Sequence, residues 1–120
     1  MIDVHRSDLK ISNWLGKAEF QKIVSEPGPH VMVFAAKWCG FCSRFIEQAK
    51  SLENPANIEI NLIDADDPDE SLWDDFSIRI VPTIIVFKNG KSVFRKDGKS
   101  GAGLKMSDLE QGLSELSSAS

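Results

Sequence analysis

The stretch Val31-Met32-Val33-Phe34-Ala35-Ala36-Lys37-Trp38-Cys39-Gly40-Phe41-Cys42 runs from six apolar residues into two cysteines set two residues apart. A run that is apolar at every position is the pattern of a strand buried on both faces, as in a sheet covered by helices on both sides. A helical pattern, Ser43 to Glu53, leads out, with Cys42, Phe45, Ile46, Ala49 and Leu52 recurring at three- and four-residue steps. These are the only two cysteines. Such a pair between a strand and a helix in a short chain reads as a dithiol redox site.

The spacing suits that chemistry. Two intervening residues can bring both sulfurs to the first turn of one helix, within the roughly 7 Å between Cα atoms that a disulfide tolerates. Unpaired backbone N–H groups and the positive end of the helix dipole favour a thiolate there. Geometry divides the roles. Cys39, at the helix mouth, is expected to be exposed and to attack a substrate disulfide. Cys42, one turn in and aimed at the core, is expected to resolve the mixed disulfide. The competing readings are two inert buried thiols or half of a zinc site. Structural zinc wants four ligands, and the remaining candidates, His5 and His30, stand at no ligand spacing from the sulfurs.

The chain of 120 residues suits one domain, 1–120, with a core over about 9–117. Its 42% apolar and 27% charged residues are those of an ordinary globular domain. A net charge of −4 argues against a nucleic-acid partner. No apolar run approaches the ~20 residues of a membrane span. The opening Met1-Ile2-Asp3-Val4-His5-Arg6 has no apolar signal segment, so the expected location is the cytoplasm. The expected form is a monomer.

Outward from the cysteines, Leu9-Lys10-Ile11 reads as a short strand. Trp14, Leu15, Ala18, Phe20, Ile23 and Val24 give an amphipathic helix over about 15–26, stopped by Pro27-Gly28-Pro29, with Trp14 covering the core at its entrance. Asn54-Pro55 ends the helix after the cysteines. Ile58 to Ile63 is the next strand. In the acidic segment 66–70, Asp67 is placed to cap a helix and Pro68 to start it, which accounts for the acids better than a calcium loop does. Leu72 and Phe76 are expected to face inward and Trp73 to be half-exposed. Thr83 to Phe87 is a further strand. Asn89-Gly90 is a two-residue hairpin turn, and Ser92 to Lys96 returns as an edge strand guarded by Lys and Arg. Gly98, Gly101 and Gly103 make a connection. Ser107-Asp108-Leu109-Glu110 is a capping box, and Leu109, Leu113 and Leu116 line the inner face of a last helix with Gly112 as its weak point. The order β-α-β-α-β-α-β-β-α describes a mixed α/β sheet flanked by helices on both faces.

That order, together with Trp38-Cys39-Gly40-Phe41-Cys42 and Ile80-Val81-Pro82-Thr83, resembles the thioredoxin superfamily, and the Phe87-Lys88-Asn89-Gly90 hairpin adds to it. The likeness covers nearly the whole chain and implies the thioredoxin fold. It implies a cis Pro82 facing the cysteines, with Val81 offering backbone to an extended substrate segment. It also implies that Trp38, Gly40, Phe41 and Gly98 help to form the substrate surface. Asp64 would accept from the indole N–H of Trp38. The activity implied is that of a thiol–disulfide oxidoreductase, Cys39 and Cys42 being catalytic, with no cofactor or metal. Its partners would be protein disulfides and a reductase that donates electrons.

The departures are as informative. Thioredoxins carry proline where this chain has Phe41, and a buried acid where it has Val33. The lysine that accompanies the acid falls at Ile60, the mid-helix proline near Glu47, and a tryptophan at Ala35. Without the acid, loss of the Cys42 proton must rely on water or another group, which predicts slow resolution. The same departures leave a second reading open: a non-catalytic binding module, or a metal or iron–sulfur assembly protein in which two chains pool four sulfurs.

Overall fold

The six apolar residues sit at the middle of the sheet. The structure is a computed structural model that describes residues 10–52, 59–65 and 75–118. Its elements are β1 (Lys10–Ile11), α1 (Lys17–Val24), β2 (Pro29–Ala35), α2 (Gly40–Lys50), β3 (Glu59–Asp64), β4 (Thr83–Lys88), β5 (Lys91–Asp97) and α3 (Met106–Ser118). The sheet order is β1-β3-β2-β4-β5. β1 and β2 run parallel to β3, β4 runs antiparallel to β2, and β5 antiparallel to β4. This is the expected mixed sheet, and β2 at its centre ends where the cysteine turn begins.

Alternation in β2 sorts the core into two layers. Register pairs Phe34 with Thr83, Met32 with Ile85 and His30 with Phe87 on one face; Val33 with Ile84 and Val31 with Val86 share the other. On the first face Phe20 from α1 meets Phe34 and Phe87 edge-on, with centroids at 5.7 and 5.6 Å. Phe76 completes the group at 5.3 Å from Phe20. On the second face α3 buries Leu109, and Gly112 lies so close that a Cβ would stand 3.1 Å from Phe94 and 3.7 Å from Ile84. Gly112 is therefore a point of close packing rather than a weak point.

The hairpin forms as read. Asn89 and Gly90 both have positive φ, 53° and 82°, as the favoured two-residue turn requires. The β4–β5 register then slips between Val86 and Phe87, leaving Val93 outside the ladder and exposed.

Helix limits differ from expectation for identifiable reasons. α1 is eight residues rather than twelve. Leu15 cannot join it, because its N–H and C=O bond Leu62 O and Asp64 N–H at 2.9 Å, extending the sheet. Ala18, expected inward, is exposed. α2 begins at Gly40, three residues before the expected start, because Cys39 caps it. α3 starts at Met106, and its reciprocal cap is Asp108 accepting from Lys105 N–H at 2.9 Å, not Ser107. The lead-in 1–8, Leu9, Asn54-Pro55, Ile58, the acidic segment 66–70, Leu72, Trp73 and the final residues 119–120 lie outside the described residues.

Candidate active site

Cys39 is the N-cap of α2. Its φ of −88° and ψ of 115° are extended, and its Sγ accepts the N–H of Cys42 at 3.2 Å. Its carbonyl accepts from Ser43 N–H at 3.1 Å. Both cysteines thus occupy the first turn of one helix, as the two-residue spacing allows. The side chain that satisfies an otherwise unpaired helix N–H is here the sulfur itself.

The exposure of Cys39 is a correction. Expected at the surface, it keeps only 6% of its area accessible, against 1% for Cys42. The order of the two sulfurs is the expected one, but the opening to the first is narrow. The cause is the loop across from it: Cys39 S–H donates to Val81 O at 3.7 Å. Val81 and Pro82 are themselves buried. The Val81–Pro82 bond is cis, and the loop is pinned by Thr83 Oγ1 donating to Ile80 O at 2.7 Å. Gly98 N–H donates to Pro82 O at 3.0 Å, and a Cβ on Gly98 would stand 2.6 Å from that oxygen. Gly98, expected on the substrate surface, is buried against the proline loop and supports it.

Trp38 is 67% exposed beside the sulfurs. Gly40 is open, with nothing within 4 Å of a built Cβ, whereas Phe41 is half-buried. Asp64, expected against the Trp38 indole, meets the Lys37 ammonium at 3.9 Å. Lys37 also lies 5.8 Å from the Trp14 ring, which covers the core as expected. The pieces read from sequence therefore converge: Cys39, Cys42, Val81, Pro82 and Gly98 form one connected set, with Trp38, Gly40 and Phe41 around its rim.

Cys42 lies deep. Burial first, and then its hydrogen bond with Cys39, push its thiol up from the ordinary 9.0 to about 12, against the pull of an Ala36 backbone hydrogen bond. The position of the missing acid, Val33, is buried and apolar. Glu47 is turned outward to Lys50 at 3.0 Å and does not serve Cys42. His30 sits near the start of β2 and the cysteines beyond its end, about 16 Å away at strand rise, so they share no site. Among the described residues no group of three or more His, Cys, Asp or Glu is arranged to hold a metal.

Two contacts were not read from the sequence. Arg44 places its guanidinium 5.6 Å from the Phe41 ring centroid; the i, i+3 spacing on a helix was the available signal. Gly103 touches Phe41 across sixty residues, and nothing local marks it.

The sequence model of the thioredoxin family matches residues 12–114. The chain is 36% identical over 98 residues to thioredoxin from Rickettsia prowazekii, covering 78% of this chain and 88% of that protein. It is 38% identical over 68 residues to Thioredoxin 2 from Plasmodium falciparum, covering 56% of this chain and 43% of that one. Against that relative and a rice chloroplast Thioredoxin F, it spans only about half of their length. A solved Plasmodium falciparum thioredoxin superposes with a TM-score of 0.66 at 29% identity, over 89% of this chain and 98% of that chain. With the cis-proline loop against a cysteine-capped helix, and with the family match over most of its length, this chain belongs to the thioredoxin family.

Proposed function

We propose that this protein is a thiol–disulfide oxidoreductase that reduces protein disulfides through Cys39 and Cys42. The observation that carries the reading is the N-cap position of Cys39, whose sulfur already accepts a helix N–H at 3.2 Å. That contact sets the Cys39 sulfur at the mouth of the helix, facing the proline loop, where an incoming disulfide must approach. Family membership supports the reaction class.

In the reaction, the Cys39 thiolate attacks one sulfur of a substrate disulfide. The substrate S–S bond breaks, a Cys39–substrate bond forms, and the other substrate sulfur leaves as a thiolate. Cys42 then gives up its proton and attacks Cys39 Sγ. The Cys39–Cys42 bond forms and the second substrate thiolate leaves. Two electrons pass to the substrate, and an external dithiol donor restores the pair. Trp38, Gly40 and Phe41 supply the rim against which the substrate docks. Val81 and Pro82 supply backbone for an extended segment, with Gly98 behind them. A docking substrate takes over Val81 O from the Cys39 thiol, which frees the sulfur in the same movement.

Reduction of insulin disulfides by dithiothreitol, followed as turbidity, tests this. The wild-type chain accelerates precipitation and Cys39→Ser does not. Acceleration that survives Cys39→Ser defeats the assignment, and a wild-type chain with no effect returns the reading to that of a binding module.

A further inference from the structure

The residue between the cysteines is tied to a distant loop. Lys99 and Gly103 exchange backbone hydrogen bonds at 2.9 and 2.8 Å, and Ala102 N–H donates to Lys99 O at 3.0 Å, closing a tight loop. Gly103 has φ +74°, and a Cβ there would stand 3.0 Å from Phe41 Cβ and 3.3 Å from its Cγ and Cδ1. The Gly103 backbone thus runs so close beside Phe41 that no side chain fits between them. Arg44, three residues on, lies over the same ring at 5.6 Å. One residue before the loop, Gly98 bonds Pro82 O. The segment therefore touches both the inter-cysteine turn and the proline loop. At Gly40, the other intervening residue, a Cβ would meet no described atom within 4 Å.

We propose that Gly103 and Arg44 are positioning residues for the dithiol: together they hold Phe41 and restrict the Gly40-Phe41 turn while the cysteines are reduced. This rests on the redox reading above. A disulfide immobilises that turn in any case. A turn already restrained in the dithiol loses less backbone freedom when the bond closes, so the restraint favours the disulfide. Phe41 thereby does by packing what an intervening proline does by its ring. Releasing or displacing Phe41 shifts the balance toward the dithiol.

The test is equilibration with reduced and oxidised glutathione, followed by acid quench and thiol counting by mass. The dithiol gives two electrons and two protons to glutathione disulfide, and two glutathione molecules form. Phe41→Ala is expected to move the equilibrium about three- to tenfold toward the dithiol, the scale of part of one residue's backbone freedom. Gly103→Ala moves it the same way, at least threefold. Gly101→Ala carries the same left-handed strain, φ +79°, with nothing within 4 Å of its Cβ, and leaves the equilibrium unchanged. Arg44→Gln, on the exposed face of α2, moves it about twofold, the scale of an exposed cation–ring contact, and adds nothing in a Phe41→Ala background. A role in stability alone lowers the melting temperature of oxidised and reduced forms equally and leaves the glutathione equilibrium unmoved, which overturns the proposal. So does Gly103→Ala behaving like Gly101→Ala, or Arg44→Gln acting equally with and without the ring. A wild-type chain that forms no disulfide overturns the redox reading and this one with it. Variants that alone depart from a cycling wild type bear on the clamp only.

Discussion

The deep thiol of Cys42 makes the second half of the reaction steeply dependent on pH. Burial above all pushes the Cys42 thiol up to about 12, so at pH 7 far less of it is ionised than of a thiol at the ordinary 9.0. The cause matters for the intermediate. Burial is the largest contribution and persists once Cys39 is bonded to substrate. The contributions from Cys39 itself disappear with its free sulfur, so the Cys42 thiol in the mixed disulfide comes down from about 12 but stays above an exposed thiol. Resolution is therefore expected to quicken with each step of pH from 7 to 8.5, approaching tenfold per unit, with no plateau in that range. The assay is single-turnover. Cys39 is loaded with a chromogenic aromatic thiol, and release of that thiol by Cys42 is followed by stopped flow. Cys42→Ser gives the background. A plateau below pH 8.5, or a rate that ignores pH, would mean that a nearby group takes the proton, and the reading of a buried thiol with no base among the described residues would be wrong.

Three further outcomes follow from particular contacts. Val33→Asp restores an acid at the buried position and is expected to speed resolution at pH 7 in the same stopped-flow assay, while lowering stability by several kcal/mol, since Val33 is buried and no lysine stands at Ile60; an unchanged rate removes the argument from the missing acid. Gly98→Ala drives a Cβ to 2.6 Å from the carbonyl of Pro82, so insulin reduction should fall at least tenfold in a chain that still shows the native circular dichroism, and full activity would show the loop to be looser than its hydrogen bond implies. Phe20→Ala empties the centre of the aromatic group with Phe34, Phe76 and Phe87 and is expected to cost about 3–5 kcal/mol in urea unfolding; a loss under 1 kcal/mol would mean that the layer collapses around the gap.

Much of the architecture was legible because it rests on local pattern. Val31 to Ala36 is apolar at every position and becomes the central strand; Asn89-Gly90 has the two residues that accept positive φ and becomes the turn. What escaped was set by contacts between distant residues. Leu15 has the right spacing for a helix, yet its backbone is claimed by β3. Ser107 looks like a cap, yet Asp108 reaches Lys105 first. Leu104 lies outside every periodic segment and is nevertheless buried. The same division holds at the site. The cysteine spacing announced a shared helical turn, and it is there. The near-closure over Cys39 and the seat of Phe41 on Gly103 depend on loops forty and sixty residues away, whose approach no local pattern encodes.

The division of labour between the two sulfurs is tested most directly by trapping. Cys42→Ser and Cys39→Ser are each incubated at pH 7 with a disulfide-bonded protein substrate, quenched with acid and mapped by mass spectrometry. The account predicts a stable mixed disulfide through Cys39 in Cys42→Ser and none in Cys39→Ser. An adduct on Cys42, or an unreacted Cys39 in the Cys42→Ser chain, would contradict it.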